Sequence, residues 1–374
     1  MHAQTFDVAV VGAGIVGAAC AREFALAGLR VAIVEAGVTG GAASAAGMGH
    51  LVVMDDTPAQ LAITRFSRAI WQELRPSLPD SVEYEQCGTL WVAADDEEMA
   101  EVLSKQLVYA GVGVASEVLD AQGVAESEPH LRPGLAGGLR VPEDAVIYPP
   151  AATQFFLDES LRRGATLLRG RRAVTAERGE VKLDDGTGLS ASAILVASGT
   201  DTSLVPWLTL KPRKGHLIIT DRYPGYVRHQ LVELGYLKSA HKLSADSVAF
   251  NVQPRRTGQL LIGSSRQYDA ADAGVEYSML KRMIDRACEY LPGLRDLSAI
   301  RAWTGFRASS QDKLPLIGPT PDSSVYVAMG FEGLGITNAP GAARLVAEHV
   351  LGLPTSIDAA PYLPERIARE ATHG

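Results

Sequence analysis

Gly12, Gly14 and Gly17 form a G-x-G-x-x-G turn, and Glu35 lies 18 residues beyond the last glycine. Residues of these types at this spacing can hold an adenine dinucleotide. The first glycine permits a tight turn, the second lets backbone approach a pyrophosphate, and the third lets a helix pack close to a sheet. A helix starting at Ile15 and Val16 would aim unpaired N–H groups and a positive dipole end at the phosphates. An acid at the position of Glu35 bonds ribose hydroxyls and favours an unphosphorylated ribose, so NAD or FAD rather than NADP. The turn does not choose between those two.

The flanking residues supply the elements that such a turn needs. Residues 7–11 read as a strand, a small-residue helix follows Gly14, and residues 29–35 read as a second strand ending in the acid. Val8 to Ala21 is apolar like a signal-peptide core, but Asp7 precedes it and no basic leader does. It is therefore read as the first strand and helix. Residues 36–51, beginning at Ala36, are rich in Gly, Ala and Ser and have little propensity for a regular element. Small residues let backbone lie flat against a ligand. Their place directly after the ribose acid makes Ser44, Ala46, Gly47, Gly49, His50 and Leu51 candidates for a loop around the cofactor.

The 374 residues suggest two or three domain-sized units, and 47% hydrophobic residues suffice for full cores. A net charge of −8 without a concentrated basic stretch argues against a nucleic-acid surface. Cys20, Cys87 and Cys288 are scattered and form no C-x-x-C, and the eight histidines lack ligand spacing, so no metal is expected. Unpaired cysteines fit a reducing cytosol. No run is long and apolar enough to span a bilayer. The expected place is the cytoplasm, with a peripheral position at the inner membrane as the variant.

Hydrophobic periodicity predicts helices over residues 58–75, 95–109, 150–163, 278–291 and 335–351. Strands are predicted over 88–94, 134–141, 165–169, 172–178, 181–184 and 193–197, then 215–219, 248–252, 259–262, 299–306 and 325–329. The basic cluster Arg169–Arg172 reads as a solvated turn, and the last residues as a loose tail. A nucleotide-type α/β pattern therefore appears at the start, middle and end, with strand-rich segments inserted between. This interleaving places the cofactor unit at 1–50, 142–214 and 306–374 and a substrate unit at 51–141 and 215–305.

Several separated motifs in order resemble the family of D-amino acid oxidase, glycine oxidase and sarcosine oxidase. They are the 7–35 unit, the 40–49 loop, Leu195-Val-Ala197-Ser198-Gly199, Trp303-Thr-Gly-Phe-Arg307, Asp312-Lys-Leu-Pro315-Leu-Ile-Gly318 and the strand–glycine–helix close over 329–350. The glycine oxidase branch, with the flavin subunit of hydrogen cyanide synthase, is the nearest in look. Residues 46–56 resemble flavoproteins that oxidise cis-4-hydroxy-D-proline, the D-hydroxyproline dehydrogenase group. The resemblance implies an α/β plus α+β fold: a Rossmann-like FAD-binding domain with a discontinuous antiparallel-sheet substrate domain. It also implies non-covalent FAD, because no cysteine stands where sarcosine oxidases attach their flavin.

The resemblance further implies hydride transfer from a substrate Cα to flavin N5, with the amino acid's carboxylate gripped by Arg307. It places Val174, Ala197, Ser198, Gly199, Gly333, Leu334, Gly335, Ile336 and Thr337 beside the cofactor, with the last helix starting at the flavin pyrimidine. His50 and Glu332 join Arg307 as candidate catalytic residues, Glu332 facing a substrate amine or hydroxyl. Glycine oxidase carries a second arginine and an aromatic hydroxyl near its substrate. Gly333 and Phe250 are expected at those positions here, so a different pocket is implied. The first-choice substrate is cis-4-hydroxy-D-proline or D-proline. A glycine- or sarcosine-type oxidase using oxygen is one alternative. The flavin subunit of a hetero-oligomer with electron-transfer partners is another, and a homo-oligomer is equally compatible. An NAD dehydrogenase and a non-catalytic FAD module are the rivals from other classes.

Overall fold

The computed structural model describes residues 4–235, 246–268, 270 and 272–370. The chain opens with β1 (Gln4–Val11), α1 (Ile15–Leu26) and β2 (Val31–Glu35). A one-turn helix α2 (Ala43–Ala46) and a short strand β3 (His50–Leu51) follow. Then come α3 (Pro58–Leu74), β4 (Thr89–Ala93), α4 (Asp96–Gly111), β5 (Glu117–Asp120), α5 (Ala121–Ser127), β6 (Gly137–Val141) and β7 (Ala145–Val146). Helix α6 (Pro149–Arg162) leads to β8 (Thr166–Arg169), β9 (Ala173–Glu177), β10 (Glu180–Leu183) and β11 (Gly188–Val196). Strands β12 (Lys211–Arg222), β13 (Gln230–Glu233), β14 (Ser247–Pro254) and β15 (Gln259–Arg266) precede α7 (Tyr277–Tyr290) and β16 (Ala299–Ser309). Finally β17 (Leu316–Pro319), β18 (Val325–Met329), α8 (Gly335–Leu351) and α9 (Glu365–Glu370) close the chain.

Two eight-stranded sheets organise these elements. The first runs β17-β18-β11-β1-β2-β8, with β10 and β9 extending from β11. Its central strands pair in parallel. Parallel strands are covered on both faces, which is why residues 8–11 form an unbroken apolar run. Val8 and Val10 join the core under α1, whereas Ala9 and Val11 join the core on the other face. Gly17 lets α1 settle there, since a Cβ at 17 would meet the Gly12 carbonyl oxygen at 2.0 Å.

The second sheet runs β16-β12-β15-β14-β13-β4-β6-β5. It is antiparallel except for β13, which pairs in parallel with β4, so the inserted sheet is mixed rather than purely antiparallel. Strands β12 and β16 run on past 214 and 305, carrying residues 211–214 and 306–309 into this sheet.

The predicted elements recur, with informative differences. Asp95 caps α4 by accepting from the Glu98 N–H at 2.9 Å. Residues 36–51 are not wholly irregular, because they hold α2 and β3, the latter paired with β7. The expected loose tail is packed over residues 359–367, and residues 371–374 lie outside the described residues. Tyr362 is buried and donates its hydroxyl to the Ala59 carbonyl at 2.6 Å, and Arg366 pairs with Asp312. Among the described residues no helix is long and apolar enough to cross a membrane.

Pro340 lies inside α8 as its sixth residue. Proline has no N–H, so the carbonyl four residues back loses its helical donor. Trp71 of α3 supplies the replacement: its indole N–H lies 3.3 Å from the Ile336 oxygen and 3.0 Å from that of Thr337.

Candidate active site

A cavity of about 500 Å³ runs between the two sheets, within the range of small-molecule sites. Its nucleotide-side wall is built at the ends of β1 and β2. Gly12 has φ +103°, and a Cβ there would meet the Ala197 oxygen at 2.5 Å. Only glycine makes this turn against β11. Gly14 caps α1, and the Ile15 N–H donates to the Ser44 hydroxyl at 2.9 Å. Glu35 accepts from the N–H groups of Ala13 and Gly37, both at 2.7 Å. The acid is thereby fixed at the cavity wall instead of swinging into solvent.

The other wall is built from the second sheet and the residues before α8. Arg213 and Arg307 are register partners on β12 and β16. The Arg307 guanidinium folds back over Gly215, where a Cβ would stand 2.7 Å from its Nη1, and it donates to the Ser265 carbonyl at 3.1 Å. Burial lowers its pKa, Glu332 opposes that, and Arg213 reinforces it. An arginine still remains charged.

Glu332 has φ +53° and accepts hydrogen bonds from Arg213 and from the Gly333 N–H. Burial would raise its pKa, but Arg266, Arg213 and Arg307 outweigh this and hold it at about 2. His50 also lines the cavity. Burial and the positive charge of Arg307 push its pKa down to about 4, against smaller opposing effects of the Gly333 backbone and Glu332. The imidazole is thus neutral at ordinary pH. Thr337, in the first turn of α8, donates its hydroxyl to the His50 carbonyl at 2.9 Å and ties that turn to β3.

The family model described as FAD dependent oxidoreductase (DAO) matches residues 7–349. The chain belongs to the DAO family. A glycine oxidase of Pseudomonas aeruginosa is 28% identical, covering 96% of this chain and 98% of that protein. Hydrogen cyanide synthase subunit HcnC of the same species is 24% identical, with 98% and 97% covered. The crystal structure of glycine oxidase from Geobacillus kaustophilus matches with a TM-score of 0.86 at 25% identity, covering 96% of this chain and 98% of that one.

The DAO enzyme uses FAD, and the residues present fit it. Gly47 belongs to the same cradle, since a Cβ there would strike Ile336 Cδ1 at 2.5 Å. None of the three cysteines lines the cavity. Of the residues expected beside the cofactor, Gly12, Gly14, Ile15, Val16, Glu35 and Ala36 line the cavity. So do Ser44, Ala46, Gly47 and His50, and Ala197, Ser198 and Gly199. Gly333, Leu334, Gly335 and Ile336 do so from the start of α8, beside Arg307 and Glu332.

The other expected residues are not among those lining the cavity. Gly17 packs α1 on the turn. Gly49 has φ +92° and abuts the Ile147 carbonyl. Leu51 and Thr337 are fully buried. Val174 is 51% exposed and its neighbour Ala173 lines the cavity instead, because successive strand residues face opposite sides.

The same pleat displaces Phe250, which stacks on Tyr290 at 4.5 Å in the core under α7, leaving Asn251 at the cavity. A second guanidinium does reach the cavity, from Arg266 on β15 rather than from position 333. Arg171 and Arg172 are exposed as a solvated turn should be, yet they also border the cavity. The register pairs Glu35 with Arg169, so the turn after β8 lies beside Glu35. Arg213, Arg266, Gln230, Trp91 and Asn251 carried no motif in the sequence. The alternation Asn251-Val252-Gln253 on β14 was the one local signal.

Proposed function

We propose that this enzyme oxidises the Cα–N bond of a small D- or cyclic amino acid by hydride transfer to flavin N5, giving an imino acid. The first substrate is cis-4-hydroxy-D-proline or D-proline, whose product is a pyrroline carboxylate. The observation that carries this reading is the Arg307 guanidinium, held in the cavity wall over Gly215 with its pairing face set by strand register. Such a fork takes a carboxylate with two parallel bonds and so fixes the Cα. FAD supplies the two-electron acceptor.

The start of α8 lines the same cavity, and a helix N-terminus favours negative charge beside it. Glu332 acts as a positioning residue in this reading, since both its oxygens are taken by Arg213 and the Gly333 N–H. The neutral His50 offers a hydrogen-bonding imidazole rather than a competing cation. In this reading residues 1–50, 142–214 and 306–374 mainly serve the cofactor and 51–141 and 215–305 the substrate; the two sheets support the division except at 211–214 and 306–309, which are strand ends of the second sheet and include Arg307.

The test is anaerobic addition of D-, L- and cyclic amino acids to the yellow protein. Bleaching by D-proline-type substrates supports the reading, and a flavin that only glycine or sarcosine bleaches overturns it. The likeness to HcnC, a subunit by name, favours a second reading in which partner subunits carry the electrons away. Co-purifying redox partners, with slow turnover in oxygen alone, would support that reading.

A further inference from the structure

The cavity wall has a polar patch that the carboxylate grip does not use. Gln230 on β13 and Asn251 on β14 line it, 3% and 9% exposed. Gln230 Oε1 and Asn251 Oδ1 are buried without a hydrogen-bond partner, and so is Nε1 of Trp91, another lining residue. Buried polar atoms in folded proteins are almost always paired. Two acceptors and a donor left open on one wall are complementary to a ligand group that both donates and accepts. An ammonium only donates and a carboxylate only accepts, whereas a hydroxyl does both.

Register places these atoms relative to Arg307. Asn251 is opposite Val232 on β13 and opposite Gly263 on β15, and Val232 is beside Trp91 on β4. Gln230 is two residues from Val232 and therefore on the same face. The Arg307 guanidinium bonds the carbonyl of Ser265, two residues along β15 from Gly263. The step from there to Asn251 is about 7 Å along the strand and about 5 Å across to the next one. An amine on Cα adjoins the carboxylate and stays close to Arg307. A group that reaches the amides sits further out, on the ring or side chain.

We propose that Asn251 and Gln230, with Trp91, form a subsite for a substrate hydroxyl, making the enzyme selective for hydroxylated amino acids. This rests on the amino acid oxidation proposed above and specifies its substrate.

The experiment uses the FAD-loaded protein and two substrate pairs, cis-4-hydroxy-D-proline with D-proline and D-serine with D-alanine. The substrate-concentration dependence of the anaerobic bleaching rate is read as kred/Kd. A site built around a hydroxyl rejects the analogue lacking it strongly, so the hydroxylated member should lead by at least about 100-fold. Asn251→Leu and, independently, Gln230→Met should cut that preference by at least about 10-fold, read as the ratio within each variant, with FAD still bound. A ratio within one variant is insensitive to the fraction folded. Equal bleaching by both members of each pair overturns the subsite while leaving amino acid oxidation standing. So does a variant that loses FAD, or one that slows both members alike. A flavin that no member of either pair bleaches overturns both proposals.

Discussion

The Arg307 guanidinium rests on Gly215, and a single methyl group at position 215 would lie 2.7 Å from its Nη1. Gly215 is the register partner of Gly305, whose own Cβ would meet that of Ala46 at 2.4 Å. Paired glycines on β12 and β16 thus open the sheet face, one for the arginine and one for the small-residue segment of the cofactor loop.

Gly215→Ala should therefore push the guanidinium off its seat. The expected result is a substrate KM raised about 10- to 100-fold, or roughly 1.4–2.8 kcal/mol of binding, with FAD content unchanged. Arg307→Ala should do more than this, and Arg307→Lys should fall between, because an ammonium lacks the planar fork. Steady-state kinetics alongside the flavin absorbance checks the series. An alanine at 215 that leaves KM unaltered would show that the arginine is not held there.

Glu332 sits among three guanidiniums, and Glu332→Gln would leave their charges uncompensated. A loss of about 2–4 kcal/mol in urea unfolding is expected at neutral pH. The sign with pH follows from a folded-state pKa of about 2, below the ordinary 4.5. Stability from this carboxylate is fully present above 4.5 and is lost as pH falls towards 2. The gap between wild type and variant should narrow over that window, and a gap constant down to pH 3 would contradict the pairing.

His50 should stay neutral far into acid. Its pKa is about 4 instead of 6.5, so the unfolded chain binds this proton more readily than the folded one between those values. Stability therefore falls as pH drops from 6.5 to 4, and His50→Gln should remove that part of the acid sensitivity. Nitrogen-15 NMR of the imidazole reads the charge directly, and a protonated ring at pH 6 would refute the assignment.

Trp71→Phe keeps the aromatic packing against Phe156 but removes the indole N–H from the carbonyl that Pro340 leaves open. Leaving that buried acceptor unmade should cost about 1–3 kcal/mol in urea unfolding. Trp71→Phe combined with Pro340→Ala, which restores the helical donor, should recover part of the loss. No recovery would mean that packing, not the hydrogen bond, explains Trp71.

Much of the cofactor wall was legible in the chain itself. The glycine turn, Glu35, the small-residue segment and the start of α8 depend on backbone conformation and close approach, which residue type dictates locally. Arg307 was legible through its motif. The substrate wall was not, because it is assembled by sheet register between residues far apart in sequence. Arg213 meets Glu332 across 119 positions, and Trp71 finds Ile336 across 265. Whether Phe250 or Asn251 faces the cavity depends on a one-residue phase of the pleat, which the short alternation on β14 hints at and strand pairing fixes. The sequence alone pointed to a dinucleotide cofactor and to the glycine turn expected to hold it. Tertiary structure decided which side chains face it, because strand pairing fixes both the partners of each charge and the side of the sheet on which they stand.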